Sequence, residues 1–240
     1  MRDLSMQNLK QSAKSFGLAL SDEQMEQFQA YWKLLVERNK QMNLTAITEQ
    51  AEVEIRHFLD SLALFQVADL KGKHLIDIGT GAGFPGVPLK IAEPSLELTL
   101  LDSLAKRVDF LAEVCEKLEL ESVRCLHARA EEWVTEDGVR ESYDYATSRA
   151  VARLDMLAEL ALPYVKVGGA FLAMKTARAE KEIEEARGAV EQLGGAMKEA
   201  YDYTLPDTEA AHRIVVIHKI AETPMQYPRR FARIQKQALK

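Results

Sequence analysis

Cysteine is scarce in this sequence. The only two, Cys115 and Cys125, form no C-x-x-C pair, which excludes a disulfide framework and a thiolate zinc site and leaves two reduced thiols. Long apolar runs are missing as well. None reaches the roughly eighteen residues that a membrane-crossing helix needs. The opening stretch MRDLSMQNLKQSAKSFG has neither an apolar signal core nor a small-residue cleavage site, so a cytoplasmic protein away from any membrane is expected. No repeat, low-complexity tract or flexible linker interrupts the chain. No G-x-S-x-G elbow, H-E-x-x-H or Asn-Pro-Pro-Tyr appears, and no metal site is expected. Positive charge is in deficit, with a net charge of −6, which taken alone argues against a nucleic-acid partner. The deficit is local. Residues 180–209 hold nine acids against three bases. The last fourteen residues, YPRRFARIQKQALK, hold five bases and no acid. Local sign governs a phosphate-binding face more than the total does.

What is present is ordinary globular material, 47% hydrophobic and 28% charged. Residues 1–70 read as a helical extension. Ser21 with two acids behind it makes a helix start, and Met25, Phe28, Trp32, Leu35 and Val36 recur at helical spacing as core. Ile55, Phe58, Leu59, Leu62 and Phe65 repeat that pattern in EIRHFLDSLALFQVADL. Over 71–222 the rhythm alternates. KHLIDIG, LELTLLD, VRCLH, YDYATSR and GAFLAMK read as strands, separated by helices that include 130–136, 153–165 and 178–193. Such alternation predicts an α/β fold with a mostly parallel sheet. AMKEAYDYTLP and HRIVVIHKIAE read as a closing antiparallel pair. Residues 223–240 form the basic tail.

The stretch HLIDIGTGAGFPGVPLKIAEP carries the chemistry. Glycines after a first strand let a ligand approach the backbone closely. Gly81, Gly83 and Gly86 fit the dinucleotide pattern G-x-G-x-x-G. Asp77 with Gly79, Gly81 and Gly83 fits the D-x-G-x-G-x-G of S-adenosylmethionine sites. Asp77 at the strand end, Phe84 crowding the loop, and Gly86 inside a helix begun by Pro85, ill placed for close helix–strand packing, favour the second pattern. Asp102 ends the second strand, where a carboxylate binds a ribose diol in either class. A nicotinamide-dependent oxidoreductase and a non-enzymatic RNA-binding module therefore stand beside the methyltransferase at this point.

DIGTGAGFPGVPL, LLDSLAKRVDFL, HARAEEW and SRAV together resemble the bacterial ribosomal small-subunit methyltransferase G family, also called glucose-inhibited division protein B. NLTAIT, HFLDSL, GGAFLAMK and YPRR extend the resemblance over nearly the whole chain. It implies a Rossmann-like class I methyltransferase sheet and S-adenosyl-L-methionine as cofactor. It also implies methyl transfer to N7 of a guanosine in 16S ribosomal RNA, free or in the small subunit. Apart from the resemblance, a monomer is expected. Carried over by motif, Gly79, Gly81 and Phe84 line the cofactor site, Asp102 and Ser103 meet the ribose, and Ala130 and Glu131 lie by the adenine. Arg149 orients the methionine and acceptor end, and no residue is expected to act as a general base. The tail departs from the family pattern, lacking its further glycine and proline. Lys106, Arg107, Arg153, Lys175, Arg229, Arg230 and Arg233, with Arg149, are candidate phosphate contacts. The tail is expected to serve RNA more than cofactor. His57 and Asp60, matched by the family, are expected mainly to brace the N-terminal helices. His212 and His218 read as a packed or solvent-facing pair.

Overall fold

The computed structural model describes residues 6–149, 152–206, 208 and 211–239. Ala150 and Val151 of SRAV, Asp207 and Glu209 of the acidic segment, and Lys240 of the tail lie outside the described residues. Two helices open the chain, α1 (Gln7–Ala13) and α2 (Asp22–Met42). Ser21 caps α2 in a reciprocal box, its hydroxyl accepting from Gln24 N and its own N donating to the Gln24 side chain. The next helical stretch is not uniform. After α3 (Gln50–Val53) the coil widens into a π-helical turn over Glu54–Leu59 and then continues as α4 (Asp60–Leu62).

The alternating segments form β1 (His74–Ile78), α5 (Gly86–Ala92), β2 (Glu97–Asp102), α6 (Ala105–Lys117), β3 (Val123–His127), α7 (Ala130–Trp133) and β4 (Tyr143–Arg149). Then come α8 (Leu154–Ala161), β5 (Val165–Thr176), α9 (Glu180–Glu185), α10 (Arg187–Gln192), β6 (Gly195–Thr204), β7 (Ala211–Lys219) and α11 (Phe231–Lys236). Helix α8 stops short of the expected 165 because Pro163 follows it, and β5 begins where that helix was expected to end. The seven strands lie in the order β3-β2-β1-β4-β5-β7-β6. Among the described residues only β7 runs opposite to the other strands, and with β6 it makes the closing antiparallel pair that the sequence pattern anticipates.

The strand order reverses between β1 and β4, so a crevice opens beyond their carboxyl ends. The N-terminal helices pack on one face of the sheet and share its core. Phe28, Tyr31, Leu35 and Phe58 form one buried cluster with Val87, Leu89, Phe110 and Leu111. Trp32 is only partly buried, and its indole N–H donates to Thr48 O at 3.0 Å. Cys115 and Cys125 are free thiols, Sγ to Sγ 3.9 Å, on α6 and β3.

Candidate active site

The glycine loop is shaped from beneath by Asp77. This carboxylate is fully buried. Its Oδ2 accepts from the Thr80 hydroxyl at 2.7 Å and from Gly86 N at 2.9 Å, while Oδ1 has no partner among the described residues. Burial pushes its pKa up to about 6 against those two bonds. Gly86 is not ill placed for helix–strand packing, contrary to the sequence expectation. A Cβ there would lie 2.5 Å from Leu100 Cδ2 and 2.9 Å from Asp77 Oδ2, so Gly86 does serve close helix–strand packing. The glycine pattern alone therefore fits either cofactor class.

Above Asp77 the loop is stitched to β2. Gly79 N donates to Leu101 O at 2.8 Å, and Thr80 N to the same oxygen at 3.1 Å. Gly79, Gly81 and Gly83 all have positive φ, of 68°, 62° and 103°. Asp102 joins the loop to the next helix, Oδ2 accepting Gly81 N and Oδ1 accepting Leu104 N, each at 2.9 Å. Helix capping and ligand binding are both open to this one carboxylate, because Oδ1 keeps a further lone pair, while Oδ2 also faces Arg107 Nη1 at 3.4 Å.

A cleft of about 560 Å³ sits over this loop, within the range of ligand sites. Gly79, Gly81 and Phe84 line it from β1, and Asp102 and Ser103 from β2. Ala130 and Glu131 line it after β3, and Arg149, expected just after the fourth strand, lines it as the last residue of β4. The cleft also takes in residues that motif reading missed. Leu44 and Thr45 come from the loop after α2, His57 from the π turn, and Phe231 from the tail helix. Only the family match at NLTAIT and HFLDSL pointed toward the first three, and nothing in the spacing placed Phe231.

Arg149 is held on several sides. Its Nη1 donates to Asp60 Oδ2 at 2.9 Å and to Arg56 O at 3.3 Å, and its guanidinium lies 5.0 Å from the centre of the Phe84 ring. Asp60 also accepts from the Tyr203 hydroxyl at 2.6 Å and lies 3.2 Å from His212 Nδ1. Burial would raise the Asp60 pKa, yet His212, Arg149 and Tyr203 together hold it below the usual carboxylate range. Asp60 thus braces Arg149, and through it the cleft, as well as the N-terminal helices. His212 packs into this cluster, six residues from His218. His57 stacks on Phe84 with ring centroids 4.5 Å apart, and its Nε2 lies 2.8 Å from the Thr45 hydroxyl. Burial, then the Arg149 charge, lowers the His57 pKa to about 4, so the ring is neutral at neutral pH.

The candidate phosphate contacts divide by what they already touch. Arg229 is committed, its guanidinium and backbone N binding Glu159, whose side chain is fully buried. Lys175 donates to Ala152 O and Glu182, and Arg153 pairs with Asp155 and Glu185. Arg107 reaches Asp102 at 3.4 Å. Lys106, Arg230 and Arg233 are exposed, with no ion pair among the described residues.

A family model described as rRNA small subunit methyltransferase G matches residues 24–206. The Ribosomal RNA small subunit methyltransferase G of Lachnoclostridium phytofermentans is 50% identical over 230 residues, covering 95% of this chain and 94% of its own. That of Alkaliphilus metalliredigens is 49% identical over 223 residues, covering 92% of this chain and 93% of its own. Among solved structures, a SAM dependent methyltransferase from Aquifex aeolicus matches with a TM-score of 0.55 at 15% identity, covering 73% of this chain and 96% of that one. That likeness establishes the class I methyltransferase fold, and the extent and identity of the sequence matches establish the rest: the chain belongs to the rRNA small subunit methyltransferase G family.

Proposed function

We propose that the protein transfers a methyl group from S-adenosylmethionine to N7 of a guanosine in 16S ribosomal RNA. The observation that carries this reading is the cleft at the β1/β4 reversal, where a left-handed glycine loop, the Asp102 carboxylate and the braced Arg149 meet. The residues fit the cofactor. Gly81 points its missing Cβ toward open space, with only Gly79 O at 4.0 Å, so a ligand can rest against the backbone there. Asp102, fixed by two backbone N–H groups, suits a ribose diol, and Glu131 and Ala130 suit the adenine end.

Bound there, S-adenosylmethionine supplies a methyl already activated on a sulfonium, whose C–S bonding pair leaves with sulfur. Guanine N7 offers a lone pair and carries no proton, so no group of the chain has to act as a base. Burial makes His57 a weak base and the Thr45 hydroxyl engages its Nε2, in keeping with a reaction that needs no base. What remains for the protein is alignment and exclusion of water, which together supply several kcal/mol. Arg149, with Nε and part of Nη2 free of acceptors among the described residues, orients the acceptor. The base has to enter unstacked, because N7 in an RNA helix faces a deep, narrow groove. Lys106, Arg230 and Arg233 are the exposed cations best placed to meet phosphate.

Calorimetry with S-adenosylhomocysteine tests the cofactor half of this reading. Saturable binding is expected for the native protein, with a large loss in Asp102→Ala. Binding of NAD with none of S-adenosylhomocysteine would overturn it in favour of an oxidoreductase.

A further inference from the structure

The cofactor cleft has a neighbour. Arg149 and His57 line a second cavity of about 470 Å³, which opens between the π turn, the end of β5 and the start of α9. Met174, Ala179 and Tyr203 give it apolar surface. Arg178 stands at it exposed and without an ion pair among the described residues. Glu182 also lines it. The Glu182 Oε1 atom is engaged, accepting Leu154 N at 2.5 Å and Lys175 Nζ at 2.7 Å, while Oε2 has no protein partner among the described residues.

Resting on the reading as a guanine methyltransferase, we propose that this second cavity receives the acceptor guanine and that Glu182 Oε2 reads its Watson–Crick edge. Guanine carries acceptors, O6 and N7, on one edge and donors, N1–H and N2–H₂, on the next. A wall with a donor at Arg149 for O6 and an acceptor at Glu182 for N1–H and N2–H₂ matches both edges, and it leaves the N7 lone pair free, turned toward the cleft that shares Arg149. Adenine reverses the polarity at both points: its 6-amino group would face the guanidinium and its N1 lone pair the carboxylate. The pairing also favours the reaction itself. As N7 bonds the methyl carbon, the purine becomes cationic and N1–H a stronger donor, so the bond to Glu182 tightens toward the transition state. Arg178, beside it, meets the nucleotide's phosphate.

The test is steady-state methyl transfer to small-subunit RNA, with the native enzyme and two variants run together. Glu182→Gln keeps Oε1 for Leu154 and Lys175 and replaces the reading oxygen with a donor. Its kcat/KM is expected to fall about 100-fold, mostly in kcat, with affinity for S-adenosylhomocysteine unchanged, while the thermal midpoint drops because Lys175 loses its countercharge. Arg178→Glu is expected to raise KM for RNA about tenfold without weakening S-adenosylhomocysteine binding. A native enzyme that methylates the RNA while Glu182→Gln retains its rate overturns the inference alone, as does a loss confined to cofactor affinity. If Glu182→Gln fails to fold, an unchanged KM in Arg178→Glu overturns it. A native enzyme that does not methylate ribosomal RNA at all overturns the underlying reading, and the inference with it.

Discussion

Gly83 shows what a single residue contributes to the cofactor loop. It sits at φ +103°, and a Cβ there would lie 2.5 Å from the Tyr31 hydroxyl and 2.8 Å from both Leu111 and Val87. Tyr31 cannot retreat, since it is buried and donates to Ala82 O in the same loop. Gly83→Ala combines backbone strain with overpacking and is expected to cost about 3 kcal/mol or more. Gly72→Ala, at φ +62° with open space around it, should cost only about 1–2 kcal/mol. Urea denaturation of both variants checks the contrast. The sequence shows that glycines belong here, but not that Gly83 answers to Tyr31 on a distant helix. His57 was legible only as a family match. Its stacking on Phe84 and its burial depend on the π turn. Its folded pKa lies near 4 against 6.5 when exposed, so its stabilising share is complete above pH 6.5 and is lost as pH falls through 4. Replacing it by Gln should remove that part of the acid sensitivity, read as a shallower fall of thermal midpoint between pH 6.5 and pH 4.

At the scale of elements, periodicity carried most of the fold. Alternation implied a parallel sheet, and the closing antiparallel pair was visible in its two long strand-like segments, but the order of the strands was not legible in the sequence. The π turn over Glu54–Leu59 was not visible, because across six residues a widened turn and a regular one share nearly the same apolar spacing. That turn brings Arg56 O, His57 and, just after it, Asp60 to the end of β4. The β6–β7 hairpin meets them from the other side through Tyr203 and His212. Tyr203→Phe removes one charge-assisted bond to buried Asp60 and is expected to cost about 1.5–3 kcal/mol. The check is the denaturation midpoint, with affinity for S-adenosylhomocysteine unchanged, because Tyr203 lines the second cavity and not the cofactor cleft.

For the whole molecule, the charge pattern takes on a different meaning. The acidic segment is not simply a solvated face. Glu182 and Glu185 hold Lys175 and Arg153, and Asp202 and Glu180 hold Arg213. Nor is the tail a loose basic arm. Arg140 donates to three tail carbonyls, at Thr223, Pro224 and Tyr227, while Arg229 neutralises buried Glu159 and Ile234 is fully buried. Deleting the chain after Tyr227 therefore leaves a buried, unpaired carboxylate at a cost of about 3–5 kcal/mol. The expectation that the tail serves RNA apart from cofactor accordingly narrows to its exposed cations. Replacing Arg230 and Arg233 together by Glu should leave the thermal midpoint intact and weaken RNA binding. It should also lower the salt slope by about one unit for each phosphate that is no longer neutralised. Composition could not separate Arg229 from Arg230 and Arg233, since the carboxylate that commits Arg229, Glu159, lies seventy residues away.

Tritiated methyl transfer from S-adenosylmethionine to small ribosomal subunits that lack this modification, followed by chemical cleavage at 7-methylguanosine, tests the central claim most directly. Label is expected in 16S ribosomal RNA, with cleavage at one guanosine. Label at another base or another atom, or in protein only, would contradict it.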